Sequence, residues 1–142
     1  MPSVKKMVIN WQGNYRFTGK NEKGISVNFD APKESGGEET ALSPMENILA
    51  SLAACSSYHI ITILKKKRQA FSDYSVVVTG ERRDEPPRIY TDIYIKYVIK
   101  GKNLSKEAVE SSIKLAEEKY CSVRGMIGNA AKIRSSFEIV KE

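Results

Sequence analysis

Two cysteines and one histidine are all the soft metal-ligating residues that this 142-residue chain has. Two cysteines are too few for a disulfide-stapled secreted scaffold and too few for a four-thiolate zinc site. Apolar residues are absent in the number a leader peptide needs behind the N-terminal lysines of MPSVKKMVINW, so no signal peptide is expected. No 20–50-residue repeat is present, which excludes a solenoid. Charge of one sign is not concentrated either. Lys and Arg number 23 against 17 for Asp and Glu, and the net charge of +6 is spread along the chain. A nucleic-acid binder gathers its basic residues on one face. The runs Lys65–Arg68 and Arg82, Arg83 and Arg88 therefore read as solvated faces, with no nucleic-acid partner expected.

What is present is enough for one packed domain over residues 1–142, with 41% hydrophobic and 28% charged residues. The longest uncharged stretch, residues 47–64, approaches membrane-spanning length, but it holds Asn47, three serines, Thr62 and His59. It suits a core helix better than lipid, so a cytoplasmic protein with no membrane partner is expected. In a reducing compartment a cysteine pair is free, redox-active or metal-bound rather than a permanent staple.

Strand patterns fall at 4–12, 14–19 and 25–29, with turns at Gly13–Asn14 and at 21–24. A polar loop with Pro32, Gly36 and Gly37 follows and is expected to be the most mobile stretch. Ser43-Pro44-Met45-Glu46 is a capping box with proline at the first helical position. The helix it opens should run to about Lys67 and is apolar or small on nearly every side, the pattern of a helix buried at the centre of a fold. Strands are predicted at 73–81 and 88–100, the latter with Ile89, Thr91, Ile93, Ile95, Tyr97 and Ile99 on one face. Ser105 caps a second helix whose inward stripe is Val109, Ile113, Ala116 and Tyr120. Cys121 stands at its end, 122–131 is a short helical or irregular segment broken by Gly125 and Gly128, and 133–140 is a last strand. Strands set apart from helices in this order give an α+β fold with antiparallel sheets wrapped around a buried central helix. One copy has little material to wrap that helix, and a homodimer would supply the rest.

Cys55 lies mid-helix, followed by Ser56, Ser57 and His59, a polar patch for a core helix. His59 shares its helix face. The two could form a thiol–imidazole pair, or His59 could be a core residue bonded to a backbone carbonyl, or Cys55, His59 and Cys121 could together hold zinc. Both cysteines could also be plain core residues.

The segments SPMENILASLAACSSYHIITILKKK and LAEEKYCSVRGMIGNAAKI resemble the OsmC/Ohr superfamily, most closely its YhfA-like branch. The match includes the eleven-residue step from Pro44 to Cys55 and the setting of Cys121. The resemblance implies an intertwined homodimer and a thiol-dependent peroxidase acting on organic hydroperoxides. Cys55 would be the peroxidatic cysteine and Cys121 the resolving one. An external dithiol would be the reductant, and no cofactor or metal is implied. An arginine near the thiol is also implied, for which Arg16 is the candidate, held by a glutamate. In the peroxidase branches that glutamate directly follows the proline. Here Met45 stands there, and Glu46 is one step later, about half a helical turn around from Cys55 at about 100° per residue. Glu46 then completes the capping box, and Arg124, three residues after Cys121, is a substitute cation. Tyr58, Tyr120 and Phe17 could line an apolar pocket. Without the chemistry, the same fold would be a small-molecule-binding or redox-sensing module.

Overall fold

The computed structural model describes residues 3–142. Met1 and Pro2, which open the segment read for a leader, lie outside them. The chain forms two compact units that meet in sequence between Ile48 and Leu49.

In the first unit, strands β1 (Met7–Trp11), β2 (Phe17–Asn21) and β3 (Ser26–Phe29) form an antiparallel meander in that order. The second strand starts later than its sequence pattern because the turn before it is larger than two residues. Gly13 and Asn14 both take positive φ, and the loop closes with Gln12 N donating to Arg16 O at 2.8 Å and Arg16 N to Gly13 O at 2.9 Å. Every residue of β1 is exposed, including Val8, Ile9 and Trp11.

The polar loop that follows is organised around one carboxylate. Asp30 is buried and accepts from the amides of Ala31, Glu38 and Thr40 and from the Thr40 hydroxyl. These bonds, led by that of the Thr40 hydroxyl, stabilise the ionised form and bring its pKa down to about 2.

Helix α1 (Pro44–Lys66) begins as its sequence predicts. Ser43 N donates to Glu46 Oε1 at 2.9 Å, and Glu46 N donates back to Ser43 Oγ at 3.3 Å. Its burial is narrower than expected. Only Leu52, Ser56, Ile60 and Leu64, one stripe at four-residue spacing, are buried. The rest of this apolar helix is left partly or wholly open by a single copy of the chain, with Ile48 and Tyr58 exposed. By length and composition alone, α1 could cross a membrane.

In the second unit, β4 (Asp73–Arg82), β5 (Tyr90–Gly101) and β6 (Lys132–Lys141) form a sheet with β5 central. β4 and β5 are antiparallel, whereas β5 and β6 run parallel. This sheet thus departs from the all-antiparallel expectation. The chain between β5 and β6 makes a helical crossover of about thirty residues, long enough to return it to the starting edge. Ile93, Ile95, Tyr97 and Ile99 point into the core with the alternation read from sequence. The alternation fails at the strand's start, where a bulge at Glu81/Arg82 shifts the register and buries Tyr90 instead of Thr91. Ser105 caps α2 (Lys106–Leu115), accepting from Ala108 N at 3.2 Å. Val109, Ile113 and Ala116 complete the core.

Candidate functional site

The site grows from an irregularity after α2. Residues Ala116–Tyr120 form one wide turn, closed by Cys121 N donating to Ala116 O, five residues back, at 2.8 Å. The extra residue rotates everything beyond it. On a regular helix Tyr120 would follow Ala116 into the core. Here Tyr120 is 43% exposed and Glu117 is buried. The turn ends at Cys121, whose extended backbone starts the short helix α3 (Ser122–Ile127). Its sulfur is the cap, accepting from Arg124 N at 3.4 Å.

Cys121 is buried and Cys55, on the flank of the buried stripe of α1, is half-buried. The structure brings the two thiols near enough to influence each other electrostatically. Burial, opposed by the amides of Arg124 and Val123, pushes the Cys121 thiol up to about 11, and the nearby Cys55 sulfur adds to the shift. At neutral pH Cys121 is a protonated thiol near a more accessible sulfur.

Behind the thiols lies a polar network within the core. Glu117 Oε1 accepts from Ser135 Oγ at 2.8 Å and pairs with Arg124 Nη1 at 2.9 Å. Its Oε2 accepts from the hydroxyl of fully buried Tyr97 at 2.8 Å. Tyr97 in turn meets Ser56 Oγ, on α1 next to Cys55, at 2.9 Å. Tyr74 and Ser57 pair in the same way at 2.9 Å. Burial, with the Glu117 carboxylate nearby, raises the Tyr97 phenol far above its ordinary range and brings Tyr74 to about 12, so both remain neutral donors.

His59 makes neither contact expected of it. Its ring stacks on Tyr120 at 5.6 Å between centroids and meets Tyr58 edge-on at 5.1 Å. Among the described residues no three His, Cys, Asp or Glu side chains converge as a metal site. Lys119 Nζ lies over the Tyr120 ring, 5.4 Å from its centroid. A cavity of about 430 Å³ is lined by Tyr120, Cys121, Ser122 and Arg124, with Glu117 at its wall.

The other sequence candidates belong to the first unit. Arg16 pairs with Glu38 at 3.4 Å and donates to Gln12 O at 3.1 Å. Glu46 is held by Ser43, whose amide and hydroxyl keep its carboxyl below the usual range. Phe17 opens β2 of that unit. Glu117, Tyr97 and Ser135 were not among the candidates. The polar patch Ser56–Ser57 was a usable signal, since a core serine needs a partner.

A family model described as OsmC-like protein matches residues 36–136. The chain is 36% identical over 132 residues to Protein YhfA of Escherichia coli K12, covering 93% of this chain and 96% of that one. A crystal structure of a hypothetical protein from Aquifex aeolicus VF5 is 35% identical and superimposes with a TM-score of 0.87 over 99% of both chains. An organic hydroperoxide resistance protein OsmC from Legionella pneumophila shares the fold, with a TM-score of 0.73 over 96% of this chain and 97% of that one, at 18% identity.

Proposed function

The chain belongs to the OsmC-like family, and we propose that within it this protein is a thiol-dependent peroxidase for organic hydroperoxides. The nearness of Cys55 to Cys121 carries the reading. Two cysteines 66 residues apart in sequence lie close enough to influence each other, one half-buried and one buried and protonated.

The Cys55 thiolate attacks the terminal oxygen of a hydroperoxide. The O–O bond breaks, the alkoxide leaves and takes a proton to become the alcohol, and Cys55 becomes a sulfenic acid. The Cys121 sulfur then attacks Cys55. Its proton goes to the departing hydroxide, and a disulfide and one water form. Two-electron exchange with an external dithiol restores both thiols and leaves the reductant as a disulfide. Arg16 is the cation that the family resemblance offers, from the first unit. The chemistry needs a reducing compartment such as the cytoplasm.

The working unit in this proposal is a homodimer. A single copy leaves apolar residues of α1 and β1 exposed, Tyr58, Val8, Ile9 and Trp11 among them, and a second copy is the occupant that the intertwined fold of the resemblance supplies.

Reduced protein mixed with stoichiometric cumene hydroperoxide should lose both thiols and form an internal disulfide. Cys55→Ser should abolish turnover, and Cys121→Ser should leave a sulfenic acid on Cys55 that dimedone traps. Thiols that survive the peroxide in folded protein would replace this reading with that of a binding module. Light scattering should give twice the chain mass at micromolar concentration, and a monomer mass would overturn the dimer.

A further inference from the structure

Helix α1 ends in a turn that favours glycine. Arg68 N donates to Lys65 O at 3.0 Å and Gln69 N to Leu64 O at 2.9 Å, the paired bonds that close a helix through one residue in left-handed backbone. That residue is Arg68, with φ at +57°. A side chain there crowds its own backbone, whereas glycine takes the conformation at no steric cost. The turn is pinned from outside, since Gln69 Oε1 accepts from Ser105 N at 2.8 Å and Ser72 N donates to Lys100 O at 2.7 Å. Strain of this kind gathers where a side chain is put to use.

The side chain has a place to act. Arg68, Phe71, Ser72, Lys102, Asn103 and Glu142 line a cavity of about 430 Å³, the size of many small-molecule sites. Its walls come from the end of α1, the link to β4, the turn after β5 and the residue after β6. They approach closely because residue 101 is glycine, where a Cβ would lie 2.7 Å from Ala70 O. Arg68 and Lys102 are exposed, and among the described residues neither forms an ion pair. Lys67, one residue earlier, is by contrast engaged, its Nζ donating to Ser111 Oγ at 2.6 Å. Glu142 is the one carboxylate on the cavity wall, and it pairs with neither cation. Ser72 and Asn103 add a hydroxyl and an amide, and half-buried Phe71 supplies an apolar wall.

We propose that this cavity binds a small phosphate monoester, with Arg68 and Lys102 on the dianionic phosphate and the organic group against Phe71. Two unpaired cations call for two negative charges. A guanidinium, an ammonium and two neutral polar groups also offer more donors than one carboxylate can accept. Neither cysteine lines the cavity, so the proposal does not rest on the peroxidase reading.

Phenyl phosphate is the probe, titrated into the full-length protein in phosphate-free buffer and followed by calorimetry and by amide chemical shifts. Binding should saturate, with the shifts centred on residues 68–72 and 102–103. Arg68→Gly should weaken it about ten- to a hundredfold, the range for one charge-assisted hydrogen bond. The same variant should raise Tm, because the turn loses its strain. Lys102→Gln should weaken binding to a similar degree with the turn untouched. Glu142→Gln should tighten it about threefold, the effect of one charge at about 7 Å in water.

No saturable binding, or shifts centred elsewhere, would overturn the proposal. So would wild-type affinity in Arg68→Gly, or a fall in its Tm, which would assign the side chain to packing. Inorganic phosphate bound as tightly as phenyl phosphate would leave Phe71 no part and overturn the ester. Should Arg68→Gly fail to fold, Lys102→Gln gives the same readout, and unchanged affinity in it is equally fatal.

Discussion

Replacing Tyr97 by phenylalanine deletes one oxygen from a fully buried position and disturbs two partners. The phenol donates to Glu117 Oε2 at 2.8 Å and meets Ser56 Oγ at 2.9 Å. The ring still fills its place against Tyr74, so packing is nearly unchanged. The loss is therefore that of a hydrogen bond to a charged group, about 1.5–3 kcal/mol. Unfolding entropy is about 2.1 cal/mol/K per residue near 60 °C, which over 142 residues turns that loss into a fall in Tm of about 5–10 °C. Thermal unfolding at fixed protein concentration measures it, and the urea m-value should stay constant. A second arm tests the charge. In a Glu117→Gln background the acceptor is neutral, and the same Tyr97→Phe change should cost only about 0.5–1.5 kcal/mol. A Tm within about 2 °C of wild type, or an equal cost in both backgrounds, would refute the view that this network is a buried charge held by its donors.

The raised Cys121 thiol predicts slow alkylation at pH 8, with a rate that climbs only as pH approaches about 11. Removing the Cys55 sulfur by Cys55→Ser should bring that midpoint down, and mass spectrometry of quenched samples would show Cys121 reacting like a free cysteine at pH 8 if the reasoning is wrong. Asp30 has its folded pKa lowered to about 2, so it contributes stability that is full above the ordinary carboxyl value near 4 and is lost as pH falls from there through 2. Asp30→Asn should flatten the dependence of the urea midpoint on pH in that window, and an unchanged slope would count against the loop's dependence on this carboxylate. Ser43→Ala breaks the reciprocal cap of α1 and should cost about 0.5–2 kcal/mol by urea unfolding.

Much of the fold could be read from residue patterns because the signals are local. The Ser43–Glu46 cap, the alternation of Ile93, Ile95, Tyr97 and Ile99, and the Ser105 cap each depend on residues a few positions apart. What escaped depends on distant partners. The parallel pairing of β6 follows from how the crossover returns, and the burial of Tyr90 follows from a bulge at Thr91 in the pairing of β5 with β4. The loop after β3 has the composition of a mobile segment, yet it folds around Asp30 because one carboxylate collects three amides and a hydroxyl. Cys55 and Cys121 were found as chemically reactive types, and Arg124 by its nearness to Cys121 in sequence. Glu117 stands four residues after Ile113 on the inward stripe, but a carboxylate there reads as a solvated charge until its distant partners Tyr97 and Ser135 are known.

The wide turn explains why these irregular features fall together. A five-residue turn breaks regular helical hydrogen bonding, and a buried carboxylate costs desolvation, so each is unfavourable taken alone. Glu117 stands four residues after Ile113 and so already faces inward to Tyr97 and Ser135, and the added residue leaves Cys121 in extended backbone, where its sulfur caps α3. The same cap places Arg124 three residues on, within reach of Glu117. A regular helix would have put Tyr120 in the core and kept better local geometry. The chain instead gathers its departures from local rules into residues 116–124, beside the two cysteines. Proteins depart from those rules mainly where the departure holds a functional group in place.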